Sequence, residues 1–206
     1  MTRGVSPLRA SELTAEEAAS GVVYLDYLTW SGTPEVTLTR PTGGGTMWRA
    51  WVNGVDRYDE RWPEPYRLIQ NSGTGLLIQG TREWTDYEVS APVWPHMVTS
   101  AGIGARVQGM RRYYALLLTE VDKLRLVKAL DGEVVLAERS LPWQFDITYE
   151  LCLKVQGNRL RASIDSEDIF DVEDDDRSPT GGAVALVCEE GPMESEVVRV
   201  RPLESD

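Results

Sequence analysis

Apolar and polar residues alternate with a period of two along much of this chain. Tyr149, Leu151, Leu153 and Val155 share one face of a run whose other face carries Glu150, Cys152, Lys154 and Gln156. Ile103, Ala105 and Val107 likewise oppose Gly104, Arg106 and Gln108. This is the period of an extended strand with one side on a core and one in water. Runs of this kind recur at 24–30, 35–40, 47–52, 66–70, 75–81, 86–91, 101–108, 113–120 and 124–130, and again at 134–138, 149–156, 159–164, 169–172, 183–189 and 196–200. Gly, Pro, Asn and Asp separate them, and Gly157-Asn158 and Asp131-Gly132 have the chemistry of tight hairpin turns. One stretch reads as helix: Ser11 to Ala19, with Ser11 or Thr14 as N-cap, acids in its first turn, and Gly21 as its stop. The expected fold class is all-β, an antiparallel two-sheet sandwich or jelly roll with a short N-terminal helix. Gly43-Gly44-Gly45 marks a division between an arm, 1–45, packing on the sandwich, and the sandwich itself, 46–206.

Composition narrows the partners. The 206 residues include 21 Lys and Arg against 33 Asp and Glu, a net charge of −12. Nucleic-acid backbones and anionic membranes are bound through basic patches, so neither is expected as the main partner. The first twenty residues contain no apolar signal-like stretch, and no apolar run approaches the roughly 20 residues of a membrane helix. Cys152 and Cys188 are too few for a disulfide framework or a metal knuckle. Two free thiols in a reducing cytoplasm is the preferred reading, with one bridge between them as the alternative. The aromatic content is skewed to seven Trp and eight Tyr against two Phe. Rings with a polar handle suit a ligand surface as well as a core.

Several segments carry a family resemblance. Gly102-Ile103-Gly104-Ala105-Arg106-Val107, Tyr113-Tyr114-Ala115-Leu116, Leu124-Arg125-Leu126-Val127-Lys128, Tyr149-Glu150-Leu151, Gly157-Asn158-Arg159-Leu160-Arg161-Ala162 and Gly181-Gly182-Ala183-Val184-Ala185-Leu186 resemble the concanavalin A-like, laminin-G-like jelly-roll superfamily. The region from about 75 to 200 is most similar to its bacterial 3-keto-disaccharide hydrolase-like, lectin-like domains, including those appended to ADP-ribosylglycohydrolase-like proteins. The resemblance implies a jelly roll that handles sugars, and it leaves calcium open as a cofactor. Ile164–Ile169 and Asp146-Ile147-Thr148 depart from the family's turns. One sandwich hosts many activities, so the resemblance bears on fold more than on function.

The candidate chemistry is of three kinds. For sugar binding, Glu88 beside Asp86 and Ser90 is expected across from Arg106 and Gln108, with Tyr114 and Arg125 on the following strands. Together they supply acid, guanidinium, amide and phenol for sugar hydroxyls. Trp84 nearby and Trp62 in a proline loop are the aromatic platforms. The bland alternative is a polar sheet face with cross-strand ion pairs. For catalysis, Glu88 and Asp86 are the alternative acid pair of a glycoside- or keto-sugar-acting hydrolase, while the single histidine, His96, reads as structural. For metal, Asp174 and Asp176 in the acidic run 173–176 are the weak alternative to a solvated turn. Trp143 is expected to plug the core. The leading reading is a non-catalytic, carbohydrate-binding module; the others are the hydrolase and a structural or partner-binding domain, with homo-oligomers left open.

Overall fold

The computed structural model describes residues 34–39, 51–59, 66–119 and 122–203. The expected N-terminal helix, the strand at 24–30 and Trp62 lie outside the described residues. Within them the chain is all-β, with fourteen strands and only antiparallel pairing. In chain order they are β1 (Val36–Thr39), β2 (Val52–Gly54), β3 (Arg57–Asp59), β4 (Arg67–Gln79), β5 (Tyr87–Pro95), β6 (Ser100–Gly109) and β7 (Arg112–Thr119). There follow β8 (Lys123–Leu130), β9 (Glu133–Ser140), β10 (Tyr149–Gln156), β11 (Arg159–Ile164), β12 (Glu167–Glu173), β13 (Ala183–Glu194) and β14 (Val197–Pro202).

Two faces are built from them. Sheet A runs β12-β11-β10-β5-β14-β1, and sheet B runs β9-β8-β7-β6-β13-β4, with β2 and β3 on the outer side of β4. They join at one corner, where Met193 and Glu194 of β13 pair with Pro95 and Trp94 of β5. Leu151, Leu153 and Val155 of β10 point into the core, as their alternation requires, and meet Ile103, Leu116, Leu126 and Leu186 of sheet B. Each fully buried Leu, Ile or Val contributes roughly 1.5–3 kcal/mol, so this shared interior holds the sheets together. Trp143 closes one end; its indole N–H donates to the Thr119 carbonyl at 2.6 Å.

The turns obey the chemistry of their residues. Gly157 (φ 54°) and Asp131 (φ 56°) occupy the left-handed region at the β10–β11 and β8–β9 hairpins. Asp165 (φ 49°) and Ser166 (φ 69°) do so together between β11 and β12, without a glycine. The departure from the family's pattern there leaves a tight hairpin intact.

Three expectations are corrected. The runs at 66–70 and 75–81 are one long strand, β4, which continues through an irregularity at residues 71–73, where its register with β13 shifts between Glu189 and Gly191. The face of 103, 105 and 107 is not continuous. Arg106 adopts φ 49° inside a bulge, and the extra residue sends Val107 to the opposite side from Ile103 and Ala105. Third, Glu88 and Ser90 do not lie across from Arg106 and Gln108, because β5 pairs in sheet A and β6 in sheet B. Residues 96–99 arch from sheet A to sheet B, held by His96 N–H to the Pro192 carbonyl and Thr99 N–H to the Glu189 carbonyl, each 3.0 Å.

The outer faces of the sheets differ. Sheet A presents Glu88, Ser90, Lys154 and Arg199. Sheet B carries a second apolar layer of Leu76, Tyr113, Ala115, Leu117, Val127, Ala185 and Val187.

Candidate functional site

The arch between β5 and β6 decides the fate of the expected sugar-binding face. Glu88 is on the outside of sheet A, opposite Lys154, and its carboxylate lies 3.2 Å from that ammonium. Arg106 belongs to sheet B and is 1% exposed. Its guanidinium donates to the carbonyls of Thr85 (3.0 Å), Gly157 (2.5 Å) and Pro179 (2.8 Å) and to the Asp86 carboxylate (3.0 Å). Four of its five N–H donors are used within the protein, so Arg106 clamps three loops. Asp86 completes the clamp by accepting from the Gly157 N–H at 2.9 Å.

Tyr114 is likewise internal. Its hydroxyl donates to Asp174 Oδ2 at 2.7 Å, and Lys128 Nζ reaches Asp174 Oδ1 at 2.8 Å, with all three residues buried. Burial alone would push the Asp174 carboxyl up. The hydrogen bonds from Lys128 and Tyr114 and the Lys128 charge outweigh it and hold the carboxyl below its usual range. Asp174 and Asp176 therefore do not fit a calcium site: Lys128 already occupies the cation's place, 4.0 Å from Asp176 as well. Trp84 packs edge-on against Tyr87, ring centroids 6.2 Å apart, and closes over Gly80 as part of the core margin. Gln108 donates to the Gly181 carbonyl at 2.8 Å. Arg125 pairs with Glu138 at 2.6 Å on the outer face of sheet B. The structure therefore does not gather Glu88, Arg106, Gln108, Tyr114 and Arg125 around one groove.

The remaining sequence candidates have structural places. His96 Nδ1 is 2.5 Å from Asp146 and Nε2 is 3.6 Å from Glu194, with the Trp94 ring beside it. Cys152 and Cys188 are free thiols, one on sheet A and one in the core. Burial pushes them up, to about 11 and about 12.

Three cavities remain for a ligand among the described residues. The first, about 380 Å³, lies on the outer face of sheet B, between Thr74, Met110, Arg111, Tyr113, Ala129, Asp131, Gly132 and Glu133. Here the β6–β7 and β8–β9 hairpins lie side by side, tied by Asp131 N–H to the Arg111 carbonyl at 3.1 Å. Tyr113 alternates with Tyr114 and so faces outward onto the second apolar layer. Burial, then the charges of Glu133 and Glu189, push its phenol up to about 12, so it stays a neutral donor. Unlike Arg106 and Tyr114, the side chains of Arg111, Tyr113 and Glu133 hold no hydrogen bond or ion pair to another described residue. Apolar ring, thioether, guanidinium, carboxylate and hydroxyl thus stand together with their polar capacity free.

The second cavity, also about 380 Å³, is on the other side of the same hairpin, lined by Gln108, Arg112, Leu130, Arg177, Ser178, Pro179 and Thr180. The third, about 300 Å³, is on the outside of sheet A and includes Glu88, Glu150, Cys152 and Lys154. Burial, and then Asp165, raise Glu150 against the Arg199 charge.

No protein-family model matches the sequence, and no curated protein matches it. Solved structures match in fold. The carbohydrate binding module CBM66 from Bacillus subtilis is similar with a TM-score of 0.67 at 14% identity, covering 74% of this chain and 95% of that one. A protein of unknown function with galectin-like fold, also from Bacillus subtilis, gives 0.58 at 12% identity over 80% and 94%. The exoplasmic/lumenal domain of VIP36, in its Ca2+/Man3GlcNAc-bound form, gives 0.57 at 14% identity over 82% and 89%. The chain therefore shares the antiparallel β-sandwich fold of these proteins.

The sequence reading missed Arg111, Tyr113, Asp131 and Glu133. One signal was available: of two adjacent tyrosines on a strand, only one can enter the core. Which one does so depends on the bulge at Arg106 and on the Lys128–Asp174 partner for its hydroxyl, and neither is visible in local alternation.

Proposed function

We propose that this chain is a carbohydrate-binding, lectin-like module whose ligand sits in the cavity between the β6–β7 and β8–β9 hairpins. The observation that carries the reading is the grouping of Tyr113, Arg111 and Glu133, whose side chains hold no hydrogen bond or ion pair to another described residue, over an apolar floor. A sugar ring offers C–H faces to the ring and thioether, and hydroxyls to the guanidinium and carboxylate. The cavity volume falls in the range of about 300–1,000 Å³ typical of small-ligand sites. The fold supports this reading, since solved proteins that share it include a carbohydrate binding module and a domain solved with a bound glycan.

A glycan array followed by calorimetric titration tests it. At least one glycan is expected to bind saturably, with Glu133→Gln weakening it at least about tenfold, which is about 1.4 kcal/mol. Absence of binding to any glycan on a broad array overturns the reading.

The hydrolase alternative takes Glu88 and Asp86 as its acid pair. Asp86 is engaged by Arg106 and the Gly157 N–H, and the acid that shares the third cavity with Glu88 is the raised Glu150. In the register, Glu88 faces Lys154 and Glu150 faces Pro92. Four residues of strand therefore separate them, roughly 13 Å at about 3.3 Å per residue. Glycosidase carboxylates stand about 5–9.5 Å apart, so the spacing favours the binding module.

A further inference from the structure

Arg111 and Arg112 are consecutive in the β6–β7 hairpin and serve different cavities: Arg111 the one described above, Arg112 the one beside the 174–181 segment. That second cavity also takes Arg177, Gln108, Ser178 and Thr180, and no carboxylate lines it. In a chain with a net charge of −12, a lining of two guanidinium groups without an acid inverts the average surface. The counter-charges stand outside the lining. Arg112 is 3.3 Å from Asp131 and Arg177 is 3.6 Å from Asp176, and all four side chains are more than half exposed. Exposed pairs of this kind are weak and screened by salt, so a better-placed anion displaces them.

The wall behind these arginines is fixed. Pro179 accepts from Arg106 at 2.8 Å, Gly181 accepts from Gln108 at 2.8 Å, and Asp176 accepts through its carbonyl from Lys128 at 2.5 Å. The Ser178 hydroxyl donates to the Asp174 carbonyl. A segment so anchored needs little further ordering to receive a ligand. The second N–H of the Gln108 amide remains for the cavity, alongside the Thr180 hydroxyl. Two planar guanidinium forks with neutral donors between them match the oxygens of a carboxylate or a sulfate.

We propose that this cavity is an oxyanion subsite that receives the carboxylate or sulfate group of an acidic sugar. That the group is carried on a sugar rests on the lectin reading; that the cavity takes an oxyanion does not.

The test titrates the full chain at low ionic strength with sodium sulfate, sodium glucuronate and glucose, followed by NMR at the Gln108 side-chain amide and the Thr180 backbone amide. Both anions are expected to shift these signals saturably and to compete with each other, while glucose leaves them in place. Saturation by sulfate alone supports a sulfate-ester ligand, and by glucuronate alone a uronic acid. The double variant Arg112→Met/Arg177→Met is expected to lose at least tenfold in anion affinity with an unchanged thermal midpoint. No saturable shift with either anion, or an equal shift with glucose, overturns the proposal. Such a failure leaves neutral-glycan binding at Tyr113 intact, so the two readings fall separately.

Discussion

Tyr113 and Tyr114 are neighbours on β7, and their hydroxyls serve opposite ends. Tyr114 donates inward to Asp174 at 2.7 Å, whereas Tyr113 lines the outer cavity, its hydroxyl holding no hydrogen bond to another described residue. The one-residue difference separates a group that holds the sandwich together from one that faces the outer cavity.

Arg106 belongs with Tyr114. Replacing it by Met leaves the carbonyls of Thr85, Gly157 and Pro179 without their donor. The bond to Pro179 is the buried one of the three, and a buried, unsatisfied group costs about 1–3 kcal/mol, so Arg106→Met is expected to lose at least about 1 kcal/mol in urea denaturation. Wherever the variant remains folded, glycan affinity is expected to stay at the wild-type value. A stable variant with lost binding would return Arg106 to the ligand site.

That placement shows what could be read in advance. Strand identity was legible wherever alternation was uninterrupted, as in β10, and the hairpins at Asp131 and Gly157 were legible because their turn chemistry is local. The site was less so. Arg106 and Tyr114 have the residue types of a sugar site, but partners distant in sequence engage them: Gly157 and Pro179 for Arg106, Asp174 for Tyr114. The β5–β6 arch then placed Glu88 and Arg106 in different sheets. Period-two reasoning assigns faces along one strand; it says nothing about which sheet the next strand joins.

The Lys128–Asp174 pair makes a pH prediction. Asp174 is held below its ordinary range in the fold. Its stabilising share is therefore complete above the unfolded aspartate value of about 3.9 and is lost as pH falls through the lowered folded value. Asp174→Asn removes that dependence and leaves the buried ammonium with only the Asp176 carboxylate, at 4.0 Å, as counter-charge, at a cost of up to about 3–5 kcal/mol. Denaturation curves from pH 7 to pH 2 on both proteins check it. A parallel acid dependence in the variant would contradict the assignment.

The thiols give a chemical check on the core. Cys188 is buried and Cys152 half-buried, both pushed well above neutral pH. The thiolate is the reactive form, so iodoacetamide at pH 7.5 is expected to leave both unmodified in the native protein and to label both in urea. Mass spectrometry reads the result, and fast labelling of Cys188 without denaturant would contradict its placement.

Gly102 tests the close packing of β6 on β7. A Cβ there would lie within van der Waals overlap of the Leu116 carbonyl, a backbone atom that no rotamer change can move. Gly102→Ala is expected to lower the thermal midpoint strongly, whereas Gly132→Ala, which meets nothing within 4 Å, is expected to change it little.

The most direct test compares the two outer faces with the same glycan. Tyr113→Phe removes one free hydroxyl from the sheet B cavity, and Glu88→Gln alters the sheet A cavity. Calorimetric titration of a glycan identified by array is predicted to show weaker binding for Tyr113→Phe and the wild-type constant for Glu88→Gln. The reverse result, with Glu88→Gln losing affinity and Tyr113→Phe unchanged, would contradict the placement of the ligand on sheet B.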